Sequence, residues 1–434
     1  MPGPAEAEGR SGRRIDTWAP FLRPGPAFDP RLPRMKRGAE PPVAPQRIAL
    51  VHDFLLDLRG AERVFLAMCE IWPQADVYTT VYDEEGTEGR FAHRDVRTSF
   101  LQRLRPSARN FRALLPLYPA AIESFDLSGY DAVVSSSSAW AHAVICDEPA
   151  IHVSYCHNPF RYAWNDRDRT LAERPDPLTR AMLSTFFRRW RQWDWISAQR
   201  VTRYLTNSLT TQARIRTYFG RDAKVVYPPV DTDRFAPGPV ADHYLVLSEL
   251  MPHKRIEVAV RAFNALGLPL VIVGDGPDAR RLRRLARPNV RFAGRVTDTE
   301  AAELLSSCRA LILTAVEEFG IAAVEAQAAG RPVISVRAGG TLETVREGVT
   351  GCFWEGGPAQ LEAAVRDFDE TAIDPRACVE NAARFDRAVF NAALPREVER
   401  AMAGPREEEE DVRHPRTRLQ PPLVQRRGRP HAAR

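Results

Sequence analysis

Two glutamates stand eight positions apart in a segment that can bind a charged ligand. Glu317 follows the apolar run 310–313, and Glu325 lies in an alanine-rich run that begins after Phe319 and Gly320. This pattern predicts a strand, an acidic loop and a helix, followed by a further strand. The free N–H groups at a helix start bind anions such as phosphate, whereas a carboxylate accepts hydrogen bonds from hydroxyl groups. Phosphate and hydroxyls together indicate a nucleotide-sugar.

A cation is the next candidate. Lys254 and Arg255 follow a strand predicted over 243–247, at the start of the next helix. A compact ammonium charge there can offset the charge of a leaving diphosphate. Only three of the 61 basic residues are lysines, which favours a functional role for Lys254 over a solvated helix start.

Loops that follow predicted strands supply the remaining candidates. Gly60 precedes the helix predicted over 61–69 and can let backbone N–H groups approach a phosphate, although a simple N-cap turn is the alternative. Gly274 opens a turn that any α/β protein can use for an ordinary connection. His157 follows a strand and precedes a proline, so we expect it to point into a cleft, with His142 as a weaker candidate.

The elements that must position these residues alternate between strands and helices in two series. The first series runs from the strand 47–52 to the strand 224–230, and the second begins at 243–247. The connection 231–242 contains two prolines and a glycine. We therefore predict an α/β fold of two Rossmann-like, doubly wound domains that face a cleft, with ligands outside the carboxyl ends of the strands.

Bulk composition limits the setting. At 44% hydrophobic residues, the chain has no apolar run long enough to cross a membrane, and we expect neither insertion nor secretion. Six scattered cysteines predict free thiols in the cytoplasm and make a zinc site improbable. Segments 111–118 and 188–195 mix arginine with aromatic residues, which fits either peripheral contact with an anionic membrane or helix packing. No nucleic-acid partner is expected from the basic tail.

Further motifs accompany the glutamate pair. They are Tyr155-Cys-His-Asn-Pro159, Tyr227-Pro-Pro-Val-Asp231, Gly274-Asp-Gly-Pro277, Phe292-Ala-Gly-Arg-Val296 and Gly339-Gly-Thr-Leu-Glu343. With Glu317-Glu-Phe-Gly-Ile-Ala-Ala-Val-Glu325, these motifs resemble the retaining glycosyltransferases of family 4, which have the GT-B fold. The resemblance covers residues 46–403 and is nearest to bacterial mannosyltransferases of surface-polysaccharide assembly.

The resemblance implies a role for each candidate. Glu325 would hold the donor ribose, Glu317 the transferred sugar, and Lys254 the diphosphate. Val296 would lie beside the base, and His157 beside the transferred sugar. The backbone amides of Phe319, Gly320 and Ile321 would meet the sugar and diphosphate, Gly60 would close over the diphosphate, and Gly274 and Arg255 would complete the donor site. The family generally needs no metal or cofactor, because the nucleotide-sugar is a co-substrate.

Composition indicates the two tails, and the linker at 231–242 together with the resemblance sets the domain boundaries. We expect disordered tails at 1–45 and 404–434, an acceptor domain at 46–235, a donor domain at 236–385, and a helix at 386–403 that returns to the first domain. The expected reaction moves a hexose such as mannose to a lipid-linked or glycan acceptor.

One position departs from the family pattern. Many members carry an arginine where this chain has Glu249, so one of the usual diphosphate cations is missing. Arg255 or another arginine can take its place, or donor affinity is weaker. Glu249 supports one alternative, a non-catalytic nucleotide-sugar-binding subunit. A second alternative, a nucleotide-sugar epimerase on a similar two-domain fold that needs no acceptor, also stays open.

Overall fold

The computed structural model describes residues 47–108 and 110–404, all of which lie within one compact unit. The two tails predicted to be disordered lie outside these residues, apart from Gly404. Two parallel sheets, each with helices around it, form the architecture. This arrangement confirms the predicted α/β class with two Rossmann-like domains.

The first sheet has seven strands in the order β3-β2-β1-β4-β5-β6-β7 among the described residues, and all its pairs are parallel. Its strands are β1 (Ile48–His52), β2 (Asp76–Thr79), β3 (Val96–Thr98), β4 (Ala132–Ser137), β5 (Ile151–Cys156), β6 (Arg203–Thr206) and β7 (Ala223–Val225). Every residue of β1 is buried, as expected for a parallel strand that is covered on both faces.

The second sheet has six parallel strands in the order β10-β9-β8-β11-β12-β13 within the same described ranges. They are β8 (Tyr244–Leu247), β9 (Leu270–Val273), β10 (Val290–Gly294), β11 (Leu311–Leu313), β12 (Val333–Val336) and β13 (Gly351–Trp354). In both sheets the order reverses next to the first strand of the series. Such a reversal opens a crevice at the carboxyl ends of the strands, where ligands bind.

Helices connect the strands. They are α1 (Gly60–Ile71), α2 (Tyr118–Glu123), α3 (Arg167–Ala172), α4 (Pro177–Ala198), α5 (Leu209–Phe219), α6 (Ile256–Leu266), α7 (Ala279–Leu285), α8 (Asp298–Ser307), α9 (Ile321–Ala328), α10 (Thr341–Thr344), α11 (Pro358–Asp367), α12 (Pro375–Ala383) and α13 (Arg387–Met402). Local signals set several ends: the Ser208 hydroxyl caps α5, and Gly220 ends it with φ +66°.

Serines and prolines set the length of two strands. Strand β4 runs through three buried serines, and the hydroxyl group of each contacts a histidine ring nitrogen. Strand β7 ends at Val225 rather than Val230. The prolines at 228 and 229 lack the N–H groups that would continue the ladder.

The last helix, α13, packs on the first sheet rather than on the second. Its apolar residues Phe390, Leu394 and Val398 are buried in the core that contains strands β1 and β5. Phe390 also meets the ring of Tyr155 edge-on, with centroids 5.8 Å apart. The chain therefore crosses from the first domain to the second and back again.

Among residues 47–108 and 110–404, no helix is both long and apolar enough to span a membrane. The two arginine-aromatic segments differ in exposure. Phe111 and Tyr118 are buried, and Tyr118 stacks on Trp140 at 3.9 Å, so these aromatic rings are not available to a membrane. In helix α4, by contrast, Trp195 is 49% exposed, although Trp190 is buried.

Candidate active site

The loop between β11 and α9 holds the most telling contacts of the second domain. Lys254 Nζ donates to both carboxylate oxygens of Glu317, at 2.9 and 2.8 Å. The Thr314 hydroxyl donates to the carbonyl oxygen of Lys254 at 2.7 Å and fixes the two loops together. Both charged side chains are mostly buried. The structure thus brings the predicted cation and the predicted sugar-holding carboxylate into direct contact.

Gly339 and Gly340 pack closely against the acidic loop that carries Glu317 and Glu318. Gly340 N donates to the carbonyl oxygen of Glu317 at 2.8 Å. A Cβ atom at Gly340 would lie only 2.3 Å from the carbonyl oxygen of Glu318, and one at Gly339 would lie 2.3 Å from that of Glu317. Gly339 also has φ +78°, which favours glycine. The motif at 339–343 therefore keeps the acidic loop in place by close backbone contact.

The neighbouring carboxylate, Glu318, joins the two domains. Its Oε1 accepts from Arg161 at 2.5 Å and from Arg214 at 3.3 Å. Arg214 also donates to Asn158, the residue after His157, at 2.7 Å. Burial would raise the pKa of Glu318, but the charges of the two arginines more than offset this effect, and the pKa is lowered. Sequence reasoning missed these arginines because their partner is distant along the chain.

Phe319, Gly320 and Ile321 form the start of helix α9. The Phe319 ring is buried against Tyr227 and Phe385, so only its backbone can meet a ligand. Gly320 has φ +92° and precedes the first helical residue, and its carbonyl oxygen accepts from Ala323 N at 2.9 Å. The N–H groups of Ile321 and Ala322 precede this first hydrogen bond, as at any helix start. Gly60 lies across the domain boundary, where an added Cβ would be 3.4 Å from Ile321 Cδ1.

Glu325 lies inside α9 and is partly exposed. Burial raises the pKa of its carboxyl, and the positive charges of Arg234 and Arg63 oppose this rise. Arg63 Nη2 lies 3.3 Å from Asp298 of α8, which links the two domains at this end of the site. Val296 is half-buried, two residues before that helix begins.

Glu249, which stands where many family members carry an arginine, is paired with an arginine of the first domain. Glu249 forms an ion pair with Arg59 of the first domain, with Nε and Oε1 3.2 Å apart. Arg59 immediately precedes Gly60, so an arginine of the opposite domain lies next to the glycine expected over the diphosphate. Arg255 has the left-handed φ of +53°, is exposed, and donates to the carbonyl oxygen of Gly356 at 3.2 Å.

Gly274 is required by backbone contact. Its φ is +122°, and a Cβ there would lie 2.0 Å from the carbonyl oxygen of Ser248. Ser248 N in turn donates to Val273 O at 3.1 Å. Close backbone packing therefore explains why this turn contains a glycine, and any contact between Gly274 and the donor stays a prediction.

The two candidate histidines have different surroundings. His157 is 9% exposed and follows strand β5, where its Nε2 lies 2.8 Å from Ser136 Oγ. Burial and the neighbouring His52 lower the pKa of His157 to about 3. His142 is buried with its Nε2 3.1 Å from Asp194, a carboxylate of 0% exposure. His142 thus lies in the core of the first domain, and its role as a site residue stays a prediction.

Comparisons with known families cover both halves of the chain. The family described as "Glycosyltransferase Family 4" matches residues 58–234, and the family described as "Glycosyl transferases group 1" matches residues 238–385. A GDP-mannose-dependent alpha-(1-6)-phosphatidylinositol monomannoside mannosyltransferase of Mycobacterium tuberculosis is 36% identical over 179 residues, covering 34% of this chain and 46% of that protein. A D-inositol 3-phosphate glycosyltransferase of Mycolicibacterium smegmatis is 33% identical over 236 residues, covering 47% and 51%. The chain thus spans about half the length of these relatives.

Solved structures share the fold at low identity. Sucrose-phosphate synthase of Thermosynechococcus elongatus superposes with a TM-score of 0.64 at 17% identity, covering 83% of this chain and 100% of that one. The Anabaena protein Alr3699/HepE, solved in complex with UDP, gives 0.60 at 17% identity, covering 82% and 100%. Two matched families and this architecture place the chain among the family 4 glycosyltransferases, with the GT-B fold.

Proposed function

We propose that this chain is a retaining hexosyltransferase that moves a hexose such as mannose from a nucleoside diphosphate donor to a lipid-linked or glycan acceptor. The contact that carries the proposal is the Lys254–Glu317 pair. Glu317 lies on the loop that leads into α9, and Lys254 lies just before α6. A cation, the N–H groups of a helix start and a carboxylate therefore lie on neighbouring loops. This combination suits a diphosphate joined to a sugar.

In the proposed complex, the diphosphate takes over Lys254 and the first N–H groups of α9. Glu317 then turns its oxygens to hydroxyls of the transferred sugar, and Glu325 accepts hydrogen bonds from the ribose. Arg59 is the second cation at the diphosphate in place of an arginine at position 249, because Glu249 holds it at the domain boundary. Gly60 beside it leaves room for the phosphates, since no side chain projects there.

The proposed chemistry keeps the configuration of the sugar. The bond from the anomeric carbon to the diphosphate oxygen breaks, and the acceptor oxygen bonds to the same face of that carbon. The acceptor proton passes to the departing phosphate, so no protein base is required for that step. Lys254 and the helix start stabilise the negative charge that develops, and we propose that no metal ion is needed.

The mannose assignment is supported by the name of the Mycobacterium tuberculosis relative, which specifies GDP-mannose. The names of both relatives refer to an inositol compound. A thermal-shift panel of guanosine, uridine and adenosine diphosphate sugars tests the donor class. We expect GDP-mannose to raise the melting temperature most, without a requirement for added magnesium and with no effect of EDTA. Equal shifts for all three bases would contradict a specific nucleotide site.

Turnover assays separate the proposal from its alternatives. With donor and a lipid-linked or glycan acceptor, we expect nucleoside diphosphate release and a product with the donor's anomeric configuration. Donor binding without release for any acceptor would instead favour a non-catalytic subunit. Isomerisation of the donor sugar in the absence of acceptor would favour an epimerase.

We also propose peripheral contact with the cytoplasmic face of an anionic membrane through helix α4. A groove of about 420 Å³ there is lined by Trp164, Arg188, Arg191, Gln192, Trp195 and Ile196. Arg188 and Arg189 are exposed, whereas Asp194, the helix's single carboxylate, is fully buried. Exposed apolar and cationic side chains without exposed carboxylates suit lipid phosphates.

Vesicle sedimentation tests this contact. We expect phosphatidylglycerol vesicles, and not phosphatidylcholine vesicles, to bind the protein. Reversing two charges with Arg188→Glu and Arg189→Glu should weaken binding at least about tenfold, since each basic residue near the surface contributes about 1 kcal/mol. The same reversal on α7, Arg280→Glu with Arg284→Glu, is the matched control. Equal weakening by both pairs would contradict a specific surface.

A further inference from the structure

Buried polar side chains connect His157 to the start of helix α1. His157 Nε2 lies 2.8 Å from Ser136 Oγ, and the same oxygen lies 3.1 Å from His52 Nδ1. The other nitrogen of His52, Nε2, faces Glu62 Oε1 at 3.8 Å. All four side chains are buried. His157, Ser136, His52 and Glu62 thus form one continuous series of contacts. Each of them lies in, or directly after, a different strand or helix.

The geometry of Glu62 is set by the helix that carries it. Its second oxygen, Oε2, accepts from the backbone N–H of Arg59 at 3.1 Å, as in a capping box. His52 stacks on Phe65 of the same helix, with ring centroids 4.8 Å apart and planes at 22°. The carboxylate and the imidazole are therefore held facing one another.

At 3.8 Å the His52–Glu62 contact is electrostatic, and the negative charge of the carboxylate sets the hydrogen-bond direction in the rest of the series. A proton on His52 Nε2 faces Glu62 favourably, whereas a lone pair there would be repelled. In a neutral ring His52 Nδ1 is then an acceptor, and it takes the single hydroxyl proton of Ser136. Ser136 Oγ must consequently accept from His157 Nε2–H, which leaves the lone pair of His157 on Nδ1.

We infer that Glu62, acting through His52 and Ser136, holds His157 in the tautomer that offers Nδ1 as a hydrogen-bond acceptor to a substrate hydroxyl. Glu62, His52 and Ser136 are positioning residues in this scheme. The inference rests on the proposed function for its substrate, a transferred hexose, which the family resemblance places beside His157. With the opposite direction of the series, His157 would present an N–H donor instead. The low pKa of His157 keeps the ring neutral, so one tautomer must be chosen.

Nitrogen-15 histidine NMR of the full chain tests the tautomer directly. Two-bond nitrogen–proton correlations distinguish Nδ1–H from Nε2–H, and the signal that His157→Gln removes is assigned to His157. We expect the Nε2–H tautomer in the parent protein. Glu62→Gln can donate to His52 and should shift His157 towards Nδ1–H, and Ser136→Ala should give a mixture. An Nδ1–H ring in the parent, or no change in either variant, would overturn the inference.

Kinetics supply an independent readout. Ser136→Ala should lower kcat at least about tenfold and leave the donor KM within about twofold, and Ser136→Thr should restore most of kcat. Ser154→Ala is the matched control, because this buried serine of β5 has no polar partner for its hydroxyl among the described residues. Melting temperatures verify folding. A changed tautomer with unchanged kcat would overturn the expected contact of His157 with the transferred sugar, whereas an unchanged tautomer would overturn the positioning inference itself.

Discussion

At the scale of single residues, the two neighbouring carboxylates of the acidic loop differ in their contacts rather than in their charge. Glu317 meets Lys254 within the second domain, and Glu318 meets Arg161 of the first domain. The adjacent carboxylates Glu317 and Glu318 therefore have different roles. One is available for a ligand that displaces a lysine, and the other ties the domains together.

Glu325 allows a direct test of donor binding. We expect Glu325→Ala to weaken donor affinity by about 1.5–3 kcal/mol, or about ten- to a hundredfold, because a charged acceptor for the ribose is lost. Isothermal titration with the preferred nucleotide-sugar measures this change. Glu303→Ala removes an exposed carboxylate of α8 and should leave affinity unchanged. Equal affinity in the Glu325 variant and the parent would refute the ribose assignment.

Glu318 should make stability depend on pH in a defined direction. Because its folded-state pKa is lowered, its ion pairs stabilise the fold fully above the unfolded-state pKa of about 4.3, and this stabilisation is lost as pH falls through the folded-state value. We expect Glu318→Gln to reduce the free energy of unfolding by about 1–3 kcal/mol near neutral pH. Urea unfolding at several pH values measures the difference from the parent, which should shrink in acid.

The control for that experiment is Glu355→Gln, which removes an exposed ion pair with Arg337. An exposed pair contributes little, about 0–1 kcal/mol. A loss at Glu318 that persisted unchanged at low pH would argue against a charge-based role.

At the scale of elements, close backbone packing shapes the site as much as charged groups do. The loops 317–320 and 339–340 touch through main-chain atoms, and so do the loops that contain Ser248 and Gly274. A motif that reads only as two glycines in the sequence is thus a support for the acidic loop. These glycines allow the close contact because they have no side chain.

Gly340 tests this support. Gly340→Ala would place a methyl group 2.3 Å from Glu318 O and 2.4 Å from Phe319 Cα, so the acidic loop must shift. We expect a loss of about 1–3 kcal/mol in stability and a marked loss of donor binding. Gly357→Ala is the control, because its Cβ meets only Gln360 Oε1 at 3.6 Å. Thermal melts and donor titration measure both effects, and parent-like binding by Gly340→Ala would contradict the supporting role.

At the scale of the whole molecule, several contacts cross between the domains. Besides the pairs Arg59–Glu249 and Arg161–Glu318, the Leu209 N–H at the start of α5 donates to Glu343 at 2.9 Å. Helix α13 adds a covalent connection between the domains, because it follows the second domain in sequence and packs on the first. Helix α13 stabilises the core of the first domain through buried apolar side chains, and this stabilisation does not depend on the cleft.

Leu394, which is fully buried on α13, tests that contribution. We expect Leu394→Ala to cost about 2–5 kcal/mol through lost burial and the cavity it leaves. Val389→Ala on the same helix, where the side chain is 49% exposed, should change stability by no more than about 0.5 kcal/mol. Urea unfolding measures both, and an equal, small effect would show that α13 is not part of the first domain's core.

The sequence by itself determined the fold class and most strand and helix positions, because apolar runs, caps and prolines act locally. It also indicated which loops carry the glutamates, the lysine and His157, since those loops follow strands directly. Strands β2 and β3 are short and lack a clear apolar run, and they were not predicted. Strand β13 was also not predicted, although Cys352, Phe353 and Trp354 are apolar.

Only the tertiary structure decided which side chains meet. Nothing local in the sequence pairs Arg59 with Glu249, Arg161 with Glu318, or Ser136 with two histidines, because each partner lies on a distant segment. The same holds for His142, whose loop position suggested a site but whose ring faces a buried carboxylate. Local patterns specify elements, whereas long-range contacts depend on how strand ends from separate parts of the chain converge.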